Sequence, residues 1–281
     1  MQTVTSSDGT RIAYDRYGEG PAVILVAGAL GDRSFKKIVR FAELLSERCT
    51  VINYDRRGRG DSGEAGPFSV QREIEDIAAL IETLGGRASL WGFSSGGGLA
   101  LRAAGAGVGV ERVAVYEAPF IVDREGKVPV ADYGPRLDEL VAAGDRSGAV
   151  KHFMRGAIGI PAPIVAMMPL MPMWKGLKSA AMTLPYDLAA MGEHNMRGEP
   201  LDPAEWASVT GPALIVYGAK SPINLRHGSR AIAEVLPNAE VRELEGMNHN
   251  FSNEVLGPVL AEFVTRGERV GATARVSARA A

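Results

Sequence analysis

The sequence predicts an α/β protein with a mostly parallel, eight-stranded sheet, helices on both faces and an inserted helical cap. Two observations predict the sheet: short apolar runs alternate with helical patterns, and the first residues read as a separate hairpin. A third observation predicts the cap, because helical patterns follow one another without a strand from about residue 122 to residue 209. A chain of 281 residues is long enough for one substantial core and such an insertion.

The predicted strands are short and rich in β-branched residues. Asp8-Gly9 predicts a turn between two antiparallel strands at the start of the chain. Apolar residues recur at helical spacing from Val70 to Leu84, which predicts a helix between the second and third parallel strands. The six predicted parallel strands are Ala22–Val26, Val51–Tyr54, Leu90–Phe93, Val113–Tyr116, Leu214–Tyr217 and Val241–Leu244.

These patterns divide the chain into four parts. We expect a core domain from residues 1–121 and 210–267, the cap from 122–209, and a flexible tail from 268–281. The cap holds eight of the ten methionines, whose unbranched thioether side chains form adaptable apolar surfaces. Two interpretations stay open: the methionines face a substrate, or they fill the cap's own core.

Composition favours a small-molecule partner. The formal net charge of −2 gives no electrostatic reason to expect nucleic acid or a membrane as partner. The first residues lack the pattern of a secretory signal and no apolar run is long enough to span a membrane, so we expect a cytoplasmic protein. The single cysteine, Cys49, cannot form an internal disulfide and is expected to be a packing residue.

The most informative motif is Gly92-Phe93-Ser94-Ser95-Gly96, which follows an apolar strand and precedes an alanine- and leucine-rich helix. A G-x-S-x-G pattern in this context is typical of a nucleophile elbow, a strained turn in which side chains at the glycine positions would collide with the neighbouring strand and helix. Only Ser94 has glycine on both sides at the required spacing. Ser94 is therefore the predicted nucleophile.

An activated serine needs a base, and position separates the four histidines. His249 lies in a loop after the last strand, at the sheet edge where parallel strands gather their catalytic loops. His152 and His194 lie in the cap, and His227 lies early in a predicted helix that begins near residue 224. We predict His249 as the base and the other three as surface or packing residues.

Two further segments carry a family resemblance. Residues 23–30 (VILVAGAL) resemble a strand and turn that supply one oxyanion-hole amide, and residues 54–62 (YDRRGRGDS) resemble a sharp turn after the next strand. With the elbow and His249, they make the chain resemble an α/β-hydrolase-fold protein with a helical cap, over nearly all its length except the tail. The resemblance implies that the backbone N–H groups of Ala29 and Ser95 form the oxyanion hole.

One position departs from the family pattern. Members usually carry an acid after the penultimate strand, but Ser221 stands there in this chain. A serine hydroxyl supplies no negative charge to stabilise an imidazolium. Glu117 is the predicted acid, since it ends the preceding strand and similar proteins such as haloalkane dehalogenases carry their acid there. The alternative, that Glu117 caps the sheet or pairs with a cap arginine, stays open.

A second glycine-rich motif matches a cofactor-binding pattern but lacks the structural context that the pattern needs. Residues 58–63 (GRGDSG) match the G-x-G-x-x-G pattern of dinucleotide-binding proteins, but residues 65–67 separate them from the next helix, whose N-terminus should receive the pyrophosphate directly. Histidines and carboxylates show no metal-ligand spacing. We therefore expect neither a cofactor nor a metal.

The sequence predicts a cofactor-independent serine hydrolase that cleaves a small, largely apolar ester, thioester or lactone through an acyl-enzyme. Two alternatives stay open. One is a non-hydrolytic enzyme of the same fold (a lyase, cyclase or cofactor-free haloperoxidase) in which His249 transfers a proton and Ser94 positions the substrate. The other is a ligand-binding protein. Neither the substrate nor the oligomeric state follows from the sequence.

Overall fold

The predicted sheet is confirmed by the computed structural model, which describes residues 1–266, so that the expected tail at 268–281 lies outside the described residues. Within this part, eight strands pair in the order β1-β2-β4-β3-β5-β6-β7-β8. The first two strands are antiparallel to their neighbours and the other six are parallel to one another. The strands are β1 (Gln2–Thr5), β2 (Arg11–Tyr17), β3 (Ala22–Val26), β4 (Thr50–Tyr54), β5 (Ala88–Phe93), β6 (Val110–Tyr116), β7 (Ala213–Gly218) and β8 (Ala239–Leu244).

Both faces of the sheet are covered, which explains the continuous apolar runs of its strands. In β3, Val23 and Leu25 pack on one face, whereas Ile24 and Val26 pack on the other. Cys49 is buried on the first face, where a packing residue was expected. The first face is covered by α1 (Lys36–Leu45) and α11 (Asn253–Thr265), and the second by α2 (Val70–Glu82), α3 (Ser95–Gly105) and α10 (Ile223–Val235).

Six helices lie between β6 and β7, in the residues 122–209 that we call the cap segment. Within it the structure contains no strand. Trp174, Leu184 and their neighbours form a separate apolar cluster above the sheet. The helices are α4 (Tyr133–Ala142), α5 (Arg146–Phe153), α6 (Ala162–Met167), α7 (Trp174–Ser179), α8 (Leu184–Met191) and α9 (Pro203–Trp206), joined by short 3₁₀ or π turns.

The cap methionines occupy three environments rather than one. Met154 and Met168 fill the cap's own cluster, and Met191 packs against the main core. Met167 and Met173 are exposed. The interpretation that methionines fill the cap's own core therefore describes Met154 and Met168. No helix within residues 1–266 has the length and apolar character needed to cross a membrane.

The packing of α10 on the backbone after β6 gives a stability prediction. A Cβ added at Gly228 would lie 2.1 Å from the Phe120 carbonyl oxygen, so Gly228→Ala should lower the free energy of unfolding by about 1–3 kcal/mol. Gly176 lies in helix α7 with no other atom within 4 Å of such a Cβ, so Gly176→Ala should raise it by about 0.5–1 kcal/mol. Urea unfolding of both variants measures the difference. Equal effects would contradict the close contact.

Candidate active site

The backbone presents Ser94 at the carboxyl edge of the sheet. Ser94 lies between β5 and α3 with φ 52° and ψ −131°. A Cβ at Gly92 would lie 2.5 Å from the Cα of Gly97, and a Cβ at Gly96 would lie 2.3 Å from the carbonyl oxygen of Val26. Both glycines of the motif are therefore needed for β3, β5 and α3 to approach one another at this turn.

Backbone strain is concentrated at the same edge. Among residues 1–266, three non-glycine residues have positive φ: Leu30 (61°), Ser94 (52°) and Glu117 (50°). Leu30 follows β3, Ser94 follows β5 and Glu117 follows β6, and these three parallel strands are consecutive neighbours in the sheet. Such conformations cost about 1–3 kcal/mol each and persist where the surrounding structure holds them, which is common at functional sites.

Glu117 and His249 form a direct pair. Glu117 is fully buried, and its Oε2 lies 2.8 Å from Nδ1 of His249. Its Oε1 accepts a hydrogen bond from the backbone N–H of Gly218 at 2.7 Å and another from the hydroxyl of Ser221. Both carboxylate oxygens thus have partners, as a buried charge requires.

Ser221, which stands in the family's usual acid position, contacts the carboxylate rather than the imidazole. Its hydroxyl donates to Glu117, so it is a hydrogen-bond partner of the predicted acid. Nothing in the sequence indicated this contact between Ser221 and Glu117. The two residues meet because β6 and β7 are adjacent in the sheet and both side chains follow the ends of these strands.

His249 lies in the loop after β8, with its side chain about one-third exposed (34%). Its ring packs on Phe93 with centroids 5.0 Å apart and an interplanar angle of 27°. Because Nδ1 donates to Glu117, proton exchange with a group in the adjacent space falls to Nε2.

The other histidines have local partners. His152 Nε2 lies 2.9 Å from the Tyr133 carbonyl oxygen, and His194 Nε2 lies 2.8 Å from Glu205. His227 Nδ1 lies 2.6 Å from Asp123. Within residues 1–266, no group of three or more histidine, cysteine, aspartate or glutamate side chains is arranged to hold a metal ion.

Ser94 and His249 line one cavity of about 370 Å³ between the sheet edge and the cap segment. Ala29 and Ser95, whose amides were predicted as the oxyanion hole, line it too. The remaining wall is largely apolar, which is typical of a small-molecule site. It includes Ile121, Phe153, Leu184, Leu188, Met191 and Met196.

A buried arginine fixes the peptide group that carries the Ala29 amide. Arg59 Nη1 donates to the carbonyl oxygen of Gly28 at 2.7 Å. The peptide between Gly28 and Ala29 is trans, so its N–H points away from its C=O, and therefore away from Arg59. Arg56 donates to the neighbouring Ala27 carbonyl oxygen at 3.2 Å. The two guanidinium groups thus orient the loop after β3.

Asp187, from α8 of the cap segment, joins these arginines to the nucleophile turn. Its carboxylate accepts from Arg56 at 2.6 Å, from Arg59 at 2.7 Å and from the Ser95 hydroxyl at 2.9 Å. Burial raises the pKa of Asp187, but the charges of Arg59 and Arg56 outweigh that effect and hold its pKa below the usual value. An ionised residue of the cap segment therefore contacts Ser95 directly and the peptide between Gly28 and Ala29 through Arg59.

Glu73 completes the charge balance. It forms two hydrogen bonds of 2.7 Å with Arg56, so two buried cations face two buried anions. Asp187 and Glu73 are not among the site residues that the sequence predicts. The three arginines at positions 56, 57 and 59 could have indicated that acids lie nearby, because three cations next to a buried strand require partners of opposite charge.

The sequence profile of the alpha/beta hydrolase family matches residues 23–256, a range that includes Ser94, Glu117 and His249. The chain belongs to this family.

Known proteins agree with the family membership. The chain is 46% identical to an alpha/beta hydrolase of known structure from Sphaerobacter thermophilus, with a TM-score of 0.84 over 93% of this chain and 99% of that one. It is 28% identical to a non-heme chloroperoxidase of Streptomyces lividans, over 94% of this chain and 99% of that protein. A thermophilic esterase from Thermogutta terrifontis shares the fold, with a TM-score of 0.65 at 20% identity over 94% of this chain and 97% of that one. The predicted α/β-hydrolase fold is thereby confirmed.

Asp187 gives a pH-dependent stability prediction. Asp187→Asn removes one partner of a buried ionic network and should cost about 3–5 kcal/mol of unfolding free energy at pH 7. The folded-state pKa of Asp187 is lowered, so its contribution is present above the unfolded value near 3.8 and is lost as the pH falls through the folded value. The difference between wild type and variant should therefore be largest near neutral pH and shrink below about pH 4.

Urea unfolding at several pH values measures this difference. The matched control is Asp138→Asn, an exposed aspartate in cap helix α4, which should change stability by less than about 0.5 kcal/mol. A wild-type to Asp187→Asn difference that stays constant between pH 7 and pH 3 would contradict the ionic role of Asp187.

Proposed function

We propose that this member of the alpha/beta hydrolase family is a cofactor-independent serine hydrolase that cleaves a small, largely apolar ester, thioester or lactone. The observation that carries the proposal is the contact of 2.8 Å between Glu117 Oε2 and His249 Nδ1, with His249 lining the same cavity as the strained Ser94. A buried acid, an imidazole and a serine at the end of parallel strands suit acyl transfer.

In the proposed first half-reaction, the Ser94 hydroxyl attacks the substrate carbonyl while Nε2 of His249 takes its proton. The N–H groups of Ala29 and Ser95 donate to the oxyanion of the tetrahedral intermediate. The intermediate collapses to an acyl-enzyme as His249 returns the proton to the leaving alcohol or thiol. In the second half-reaction, water attacks the acyl-enzyme while His249 takes its proton; the bond to Ser94 then breaks, His249 returns the proton to the Ser94 oxygen, and the carboxylic acid leaves.

Glu117 acts as the acid in this proposal by stabilising the imidazolium form of His249. Hydrogen bonds from Gly218 and Ser221 to Oε1 hold the carboxylate so that Oε2 faces Nδ1. In this proposal Ser221 donates a hydrogen bond to the acid, Glu117, and does not act as the acid itself.

The proposed oxyanion hole depends on the buried charges beneath it. Arg59 orients the peptide that contains the Ala29 amide, and Asp187 holds both Arg59 and the Ser95 side chain. Donors that are fixed before the reaction stabilise a developing oxyanion without reorganisation. Arg59 and Asp187 are positioning residues in this scheme.

The cavity supports the proposed substrate class. Its volume of about 370 Å³ suits a small molecule, and its wall is largely apolar. Ser94, Ser95 and His249 contribute polar groups to this cavity, and in the proposal the scissile carbonyl lies beside them.

A second candidate is cofactor-free haloperoxidase activity, which the 28% identity to a non-heme chloroperoxidase favours. It differs in the role of Ser94, which would position the substrate while His249 transfers a proton. The two candidates therefore make different predictions for a serine-directed reagent.

Labelling by a fluorophosphonate tests the activation of Ser94 without knowledge of the substrate. Wild-type protein should gain the mass of one phosphonyl group, because an activated serine displaces the fluoride. Ser94→Ala should gain none, and Ser95→Ala, which keeps the backbone amide, is the control that should still be labelled. Intact-mass spectrometry measures all three. An unlabelled, folded wild type would count against the hydrolase and favour the second candidate.

Replacement of the acid tests Glu117 separately. Glu117→Gln keeps the side-chain size but removes the charge opposite imidazolium, and should lower ester turnover by about 10⁴-fold. Ser221→Ala removes one neutral hydrogen-bond donor and should lower turnover by about tenfold or less, since one hydrogen bond contributes about 1 kcal/mol. Steady-state kinetics on a short-chain p-nitrophenyl ester measures both. A larger loss for Ser221→Ala than for Glu117→Gln would overturn the assignment.

A further inference from the structure

Residues 146–186 of the cap segment have a one-sided charge distribution. They contain no aspartate or glutamate, although the whole chain has 33. Five cationic side chains lie in this stretch: Arg146, Lys151, Arg155, Lys175 and Lys178. The whole-chain charge of −2, from which we expected no membrane partner, does not describe this segment.

These five cations are not neutralised within the protein. In the part of the chain that the structure describes, none of them lies within 4.0 Å of a carboxylate oxygen. In contrast, the core arginines at positions 56, 57 and 59 are all paired with acids. The positive charge of residues 146–186 therefore has no carboxylate partner among the described residues, although Arg146 donates to the carbonyl oxygens of Lys178 and Ser179.

The same stretch carries an exposed apolar surface. Leu170 is 85% exposed and Met167 is 61% exposed, and residues 156–174 contain no charged residue. Eleven large apolar side chains of the described residues are exposed, and six of them fall within residues 158–173, so the exposure is concentrated rather than scattered. We call these six the apolar cap surface: Ile158, Ile164, Met167, Leu170, Met171 and Met173.

A cationic groove adjoins the apolar cap surface. It is lined by Lys127, Arg136, Lys151 and Arg155, together with His152 and one carboxylate, Asp145. The Asp145 carboxylate caps helix α5 by accepting from the N–H of Gly148, and Arg136 pairs with Glu139. Lys151 and Arg155 remain unpaired cations in the groove. Arg155 also lies three residues before Ile158, so charge and apolar surface are contiguous.

We propose that the apolar cap surface docks on an anionic lipid bilayer, with the cationic groove holding lipid headgroups. Apolar side chains flanked by lysine and arginine are the combination that enters the boundary between headgroups and acyl chains. A second copy of the chain fits less well. In a two-fold symmetric contact across this surface, both copies would bring the same unpaired cations to the interface, and residues 146–186 supply no carboxylate to oppose them.

The position of the catalytic cavity gives the docking a consequence for substrate entry. Ala157 and Ile158 line the cavity, and Ile158 also belongs to the apolar cap surface. Lys127 borders both the cavity and the cationic groove. Docking therefore brings the cavity wall to the bilayer, where an apolar substrate dissolved in lipid enters directly. This consequence rests on the proposed function, whereas the docking does not.

Flotation of the full-length protein with lipid vesicles tests the docking without any substrate. Wild type should float with vesicles of phosphatidylcholine and phosphatidylglycerol and remain at the bottom with phosphatidylcholine alone. Binding should fall at least about tenfold between about 0.05 M and 0.5 M salt, because salt screens the attraction to the headgroups. Absence of binding to the anionic vesicles, or equal binding to both compositions, would overturn the proposal.

Matched variants locate the binding surface. Met167→Ser/Leu170→Ser should lower the vesicle partition coefficient at least about tenfold, and Lys175→Glu about fivefold to tenfold. The controls are Val255→Ser and Arg87→Glu, which change exposed side chains outside the cap and should stay within about twofold of wild type. Circular dichroism and turnover of a soluble ester, both expected to match wild type, exclude misfolding as the cause.

A tryptophan probe separates lipid from self-association. Leu170→Trp should show blue-shifted emission when anionic vesicles are added, because the ring leaves water. Analytical ultracentrifugation of wild type without lipid gives the contrary outcome: a dimer that Leu170→Ser dissociates would assign the surface to a second copy and overturn the docking.

Discussion

The burial of two guanidinium groups beneath the sheet edge is the constraint on which the site depends. A buried charge costs several kcal/mol unless it is paired, so Arg56 and Arg59 require the carboxylates of Glu73 and Asp187. Asp187 belongs to the cap segment, so the cap must lie where its α8 reaches the arginines. The remaining donors of the arginines hold the carbonyl groups of the loop after β3. One ionic network thus fixes the cap and orients the amide of Ala29.

Strand order explains why residues far apart in sequence meet at this edge. The parallel strands β3, β5, β6 and β7 are consecutive neighbours in the sheet. Ala29, Ser94, Glu117 and Ser221 each follow the carboxyl end of one of them, so the topology delivers them side by side. Ser221 stands in the usual acid position, after β7. Glu117 follows β6, one strand closer to the nucleophile, and still reaches His249.

Periodicity was sufficient to predict the parallel strands, because strands buried on both faces are continuous apolar runs, and glycine spacing was sufficient to find the elbow. The pairing of Glu117 with His249 could be predicted because Glu117 follows one parallel strand and His249 lies in the loop after another, and such loops gather at one edge of the sheet. The role of Asp187 could not be predicted, since helical spacing does not show which residues of the cap contact the core. Nor did the sequence indicate that Ser221 donates to Glu117, because that depends on rotamers at adjacent strand ends.

The acidic residues of the cap explain how its two sides differ. Residues 146–186 contain no carboxylate, and Asp187 follows them directly. Its carboxylate accepts hydrogen bonds from Arg56, Arg59 and Ser95. Its charge cannot also neutralise the outward-facing cations. The carboxylate of Asp187 in α8 lies inside the protein, where a charge is costly unless it is paired with an opposite charge. The cations of residues 146–186 lie on the outer side, where water solvates charges that have no opposite partner. The segregation that holds the cap segment on the core therefore leaves residues 146–186 with five cations and six exposed apolar side chains.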